Sequence, residues 1–175
     1  SGPVAATYVV RTPLLLLTEI MYHPAKDPED PSPASDYEYI ELMNAGTASL
    51  NLAGFRLTNG VSYVFSATSG VTRLGPGERV LVVANREAFL RRYPDTKGIA
   101  GEYDGRLADG SDRITVVGPL EEPVSDITYE DGWVASTDGF GFSLVLADET
   151  TPPSDVGQAA GWRRSARAGG SPGAA

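Results

Sequence analysis

Apolar and polar positions alternate along this chain in short runs, and glycine or proline separates one run from the next. The first run, Leu14 to Met21, is apolar through Leu14-Leu15-Leu16-Leu17 and resumes at Ile20 and Met21 before Pro24 stops it. So continuous a run predicts a strand covered on both faces. The second run, Tyr37 to Met43, alternates, with Ile40 and Leu42 sharing one face and Glu41 pointing the other way. On that pattern Glu41 belongs to a solvated face, and Glu38 lies near the strand end, where its carboxylate reaches water or a backbone amide. Leu50 to Thr58 predicts a bend and then a strand with Phe55 and Leu57 inward. Asn59-Gly60 joins it to Ser62–Phe65 as a type I′ hairpin, whose two central residues need positive φ.

Further strands are expected at Arg79–Ala84, Arg113–Val117, Pro123–Tyr129 and Phe142–Ala147, and Val9 and Val10 could add an edge strand. One helix is expected, Arg86–Tyr93, capped by Asn85 and ended by Pro94, with Ala88 and Phe89 on one face. Many short strands with closely spaced turns indicate an all-β antiparallel sandwich or small barrel, and long helices that would build a parallel α/β sheet are missing from the pattern. The expected core is Ile20, Ile40, Leu42, Phe55, Leu57, Phe65, Leu81, Val83, Ile114, Val116, Ile127 and Leu144. The domain then spans residues 14–147, with 1–13 a linker or tag remnant and 148–175 an extended tail packing on the domain or leaving it.

Composition narrows the function more than the fold. The chain has 175 residues, a length at which one domain with a sizeable core is the default. Fourteen Lys and Arg stand against twenty-three Asp and Glu, a net charge of −9. That balance disfavours nucleic-acid partners, which need a cationic surface, and docking on anionic lipid. The apolar run at Leu14 is far too short to span a bilayer, so no membrane insertion is expected. With no cysteine there is neither a disulfide nor a thiolate metal site.

Candidate chemistry is sparse. His23 is the only histidine, so a serine triad or an imidazole metal site would have to be built on it; beside Pro24 it reads as a turn residue. Glu19, Glu38 and Glu41 are the carboxylates that acid–base catalysis would draw on. Asp27, Asp30 and Asp36 supply the oxygen ligands a calcium site uses, but their spacing does not match an EF-hand loop and a solvated loop is the simpler account. Trp133 and Trp162 could stack on a sugar or a peptide, or plug the sandwich ends. No cofactor is indicated.

The ordered combination of Glu19-Ile20-Met21-Tyr22-His23-Pro24, Tyr39-Ile40-Glu41-Leu42-Met43-Asn44, Leu52-Ala53-Gly54-Phe55-Arg56-Leu57, Leu74-Gly75-Pro76-Gly77-Glu78, Gly105 to Ile114, Asp138 to Leu144 and the Ser165 to Gly173 ending resembles the lamin tail domain in its bacterial form. The resemblance implies an immunoglobulin-like β-sandwich without catalytic residues. It also implies an accessory module that binds a protein or cell-surface component, is flanked by other domains of an exported or surface protein, and works outside the cell. A carbohydrate- or calcium-binding accessory module is the alternative.

Overall fold

Alternation and turn chemistry resolve into two packed sheets in the computed structural model, which describes residues 13–174. Val9 and Val10 lie outside the described residues. The strands are β1 (Leu15–Met21), β2 (Tyr39–Asn44), β3 (Leu50–Asn51), β4 (Arg56–Thr58), β5 (Val61–Val64), β6 (Arg73–Leu74), β7 (Arg79–Val83), β8 (Ile99–Glu102), β9 (Asp104–Gly105), β10 (Ser111–Val117), β11 (Pro123–Glu130), β12 (Leu144–Leu146) and β13 (Trp162–Arg164), and the helix α1 is Arg86–Arg92. One sheet runs β13-β12-β1-β2-β7-β8 and the other β11-β10-β4-β5-β9, with β3 and β6 paired separately.

The leucine run has no polar face to give to water, and β1 accordingly sits inside its sheet, between β12 and β2. Ile20, Ile40 and Leu42 from this sheet meet Leu57, Ile114, Val116 and Ile127 from the other in one buried core. Asn59 and Gly60 join β4 to β5 and take positive φ, 63° and 23°, as expected, but the register Arg56 to Val64 and Leu57 to Tyr63 centres the hairpin on Gly60, one residue longer than the expected two-residue type I′ turn.

Two further expectations are corrected. All pairings were expected to be antiparallel, but β7 and β8 run parallel. A parallel pair needs a crossover, and α1 supplies it. Leu81 and Val83 are buried, yet not in the main core. They join Met21, Tyr39, Phe89 and Ile99 in a smaller cluster, while Val80 and Val82 take the inner face. The run Val80–Val83 has no polar residue to mark which face is which.

The smaller cluster exists because α1 covers the outer face of the first sheet. Asn85 starts the helix by accepting the Ala88 N–H at 3.0 Å, and its amide donates to Asp36 Oδ2 at 3.2 Å. Asn85→Ala is expected to lower stability by about 1 kcal/mol in a urea titration; an unchanged midpoint would show that packing of Phe89 alone holds the helix.

The chain past residue 147 packs on the sandwich. β13 becomes the edge strand of the first sheet, and Val156 and Trp162 enter the main core. A sandwich ending at 147 therefore stops one strand short.

Candidate functional site

Glu19 on β1 and Glu41 on β2 lie directly opposite one another on the outer face of the first sheet. Like charges in that register repel, and both residues are buried, each 1% exposed. The solvated position expected for Glu41 is thus overturned. β2 is an interior strand whose outer face is covered, and part of the cover is the chain's own end.

The covering segment supplies the hydrogen bonds that make burial of the pair tolerable. Ser171 donates to Glu19 twice, from its N–H and its hydroxyl, each at 2.8 Å. The Gly173 N–H donates to Glu41 Oε2 at 2.7 Å. From the sheet side, Glu19 accepts the Tyr39 hydroxyl at 2.6 Å and the Ser143 hydroxyl, and Glu41 accepts the Thr18 hydroxyl at 2.7 Å. Arg79 lies 3.7 Å from Glu41 and bridges to Glu149 at 2.6 Å. Burial pushes the Glu41 carboxyl up to about 7, against the lowering effect of the Thr18 and Gly173 donors. Burial first, and the Glu19 carboxylate second, also raise the Tyr39 hydroxyl, which keeps it a donor.

Glu38 makes a second buried staple. It is 1% exposed and reaches no water, but the backbone amide expected for it is there: Oε2 accepts the Leu107 N–H at 2.9 Å and the Tyr103 hydroxyl at 3.0 Å. Its Oε1 has no hydrogen-bond partner, with Arg106 Nε 3.5 Å away. Burial raises this carboxyl to about 7.

The remaining candidates are scattered. His23 Nδ1 is 2.6 Å from Asp138 Oδ1, and the Gly139 N–H donates to the His23 carbonyl, so the histidine ties the Asp138–Gly139 turn to the end of β1. Trp162 is 5% exposed and its indole N–H donates to the Val156 carbonyl at 2.7 Å. No face of that ring is open to a sugar, and the tryptophan is a plug. Trp133 is partly buried against the main core.

The acidic loop does not converge on a point. Asp27 accepts the Glu29 N–H, Asp30 accepts the Ser32 N–H and the Tyr37 hydroxyl, and Asp36 accepts from Asn85. The Tyr37 hydroxyl holds the Asp30 carboxyl well below the usual range. Among the described residues no group of three or more His, Asp or Glu side chains could hold a metal ion.

The glutamates were visible in the sequence as carboxylates, but their partners were not. Ser171 is 152 positions from Glu19, and a glycine-rich end carries no periodic signal to place it.

Two packed sheets, an extended chain end and the observed strand pairing define an immunoglobulin-like β-sandwich. A family model described as Lamin Tail Domain matches residues 11–131, and the chain belongs to that family. No curated protein matches the chain. Domains of this immunoglobulin-like type generally serve interaction.

Proposed function

We propose that this domain is a non-catalytic interaction module of a larger exported or surface protein, and that it binds a protein or cell-surface component outside the cell. The observation that carries the reading is where the polar and apolar groups are spent. Glu19, Glu38, Glu41 and His23, the groups acid–base chemistry would use, each hold a turn, a loop or the chain end in place. Apolar side chains are meanwhile held out on turns, with Leu120 76% and Phe140 71% exposed. Phe140 stands between Gly139 and Gly141, both at positive φ, which presents the ring away from the sandwich. Exposed aromatics of this kind supply the anchors of protein interfaces. The net charge of −9 favours such a partner over nucleic acid.

The test has two arms. A panel of ester, phosphate and glycoside substrates should give no turnover; activity that survives purification and is lost in Glu38→Gln or Glu41→Gln would sink the non-catalytic reading. Labelled domain should bind an isolated cell-envelope fraction. Protease treatment of that fraction should abolish binding, and Phe140→Asp should weaken it roughly tenfold or more, as loss of an interface anchor does. Binding indifferent to both treatments would overturn the interaction reading.

A further inference from the structure

We propose that the groove over Glu19 and Glu41 is a peptide-recognition site, filled here in cis by residues 169–173 and able to take the same Gly-Gly-Ser-Pro-Gly segment as a separate ligand. It shares only the Gly141 carbonyl with the Phe140 turn and uses neither the Phe140 nor the Leu120 side chain, so either reading can fail alone.

The walls of the groove are fixed by contacts that do not involve the tail. Glu19 is oriented by Tyr39 and Ser143, and Glu41 by Thr18 with Arg79 behind it. Tyr93, which donates to the Gly169 carbonyl at 2.6 Å, is packed on Phe89 and edge-on to Tyr39, with centroids 4.7 and 6.1 Å away. A site held in its binding geometry before the ligand arrives loses little on binding.

The tail behaves as a ligand in what it contributes. None of residues 166–174 is a member of the buried apolar core. What holds the segment is a line of directional bonds: Gly169 N–H to the Gly141 carbonyl, Tyr93 to the Gly169 carbonyl, Ser171 to both oxygens of Glu19, and Gly173 N–H to Glu41. Each such bond is worth little net in water, so the segment can exchange while the sandwich stays folded.

The groove also selects sequence. A Cβ on Gly170 would lie 2.0 Å from the Tyr39 hydroxyl oxygen and 2.7 Å from Glu19 Oε1, and the residue has a φ of +79°. Only glycine fits there. The next position needs both an N–H and a hydroxyl, and Gly173 takes a φ of +80°. Two carboxylates facing backbone donors exclude an acidic segment at the same time.

The experiment uses the full chain. Gly170→Ala should expel the tail, so that amide exchange at Ser171 and Gly173 rises about tenfold or more while the amides of Ile40 and Leu42 stay protected. The capped peptide Gly-Gly-Ser-Pro-Gly-Ala should then bind this variant saturably, shifting the resonances of Glu19, Tyr39 and Glu41, and should not bind the wild-type chain, whose own tail competes. A peptide with alanine at its second glycine should not bind. Ser171→Ala, a milder change, should speed exchange at Gly173 with the core untouched. Failure of the peptide to bind the opened variant would overturn the proposal. So would loss of core protection in step with tail exchange in both variants, because the segment would then be part of the fold and not a ligand.

Discussion

Glu19→Ala is expected to destabilise the domain by roughly 3–5 kcal/mol, a large part of the 5–15 kcal/mol that a domain usually has. Four donors converge on this carboxylate: the Tyr39 and Ser143 hydroxyls from the sheet, and the N–H and hydroxyl of Ser171 from the tail. Removing the acceptor affects them unequally. Ser171 can swing into water with the freed tail, so its donors cost little. Tyr39 and Ser143 are fully buried, at 0% exposure, beneath Gly170, so their hydroxyls are left without an acceptor unless the tail departs and admits water. Each orphaned buried donor costs about 1–3 kcal/mol, and the space left by the side chain adds a cavity cost. Glu19→Gln should lose less, because the amide keeps one acceptor and the volume. A urea titration of both variants checks this; a loss below about 0.5 kcal/mol for Glu19→Ala, the range of ordinary surface changes, would show that water replaces the carboxylate freely.

How much of this could be read from the chain depends on how local each cause is. The Asn59-Gly60 hairpin and the Asn85 cap were legible because the residues that cause them lie within a few positions of one another. Ile40 and Leu42 were legible because alternation reports a buried face directly. Glu41 was not. Alternation marks a polar position but cannot tell water from a buried acceptor, and the donor that decides the matter is Gly173, 132 positions away. Val80 to Val83 failed for the opposite reason, since four apolar residues in a row carry no phase and α1 covers one face as the other sheet covers the second.

Short pairing segments were the other loss. Ile99–Glu102 has two glycine or alanine positions and no strong strand residue beyond Ile99, yet it pairs in parallel because α1 delivers it beside β7. Trp162–Arg164 is only long enough for three pairs, and its tryptophan read equally as a platform for a sugar or peptide and as a plug of the sandwich end. Its burial against Val156 follows from the fold and not from its neighbours in sequence.

Stability should fall as pH rises from about 4.5 to about 7. Glu38 and Glu41 ordinarily titrate near 4.5, and burial raises both to about 7 in the fold. A carboxyl whose folded value is raised binds its proton more tightly folded than unfolded, so its contribution is fully present below 4.5 and is lost as pH climbs through 7. The shift corresponds to up to about 3 kcal/mol for each group. Arg106 and Arg79 face the two carboxylates and limit the rise; Glu19 across the sheet adds to it for Glu41. Asp30, Asp126, Glu121 and Asp148 have the opposite sign: their carboxyls are lowered by hydrogen bonds, so what they contribute is present above their ordinary values and is lost only as pH falls below them. Asp126, Glu121 and Asp148 are exposed and Asp30 is half-buried at the surface, and salt screening keeps their share small. The two windows leave the maximum in mild acid, near pH 5. Thermal unfolding across pH 4 to 8 should therefore show the midpoint dropping between 5 and 7 and levelling above 7. Glu41→Gln keeps an acceptor for the Gly173 N–H; its amide N–H replaces the oxygen that accepts from Thr18, whose hydroxyl turns to accept it and donates to the residue 41 carbonyl 3.3 Å away; Glu38→Gln keeps the Leu107 contact. Each variant should be more stable than the wild type at pH 8 and should remove part of the slope. A midpoint that stays level or climbs from pH 5 to 7 would show that both carboxylates are charged in the fold and that their backbone donors, not burial, set their titration.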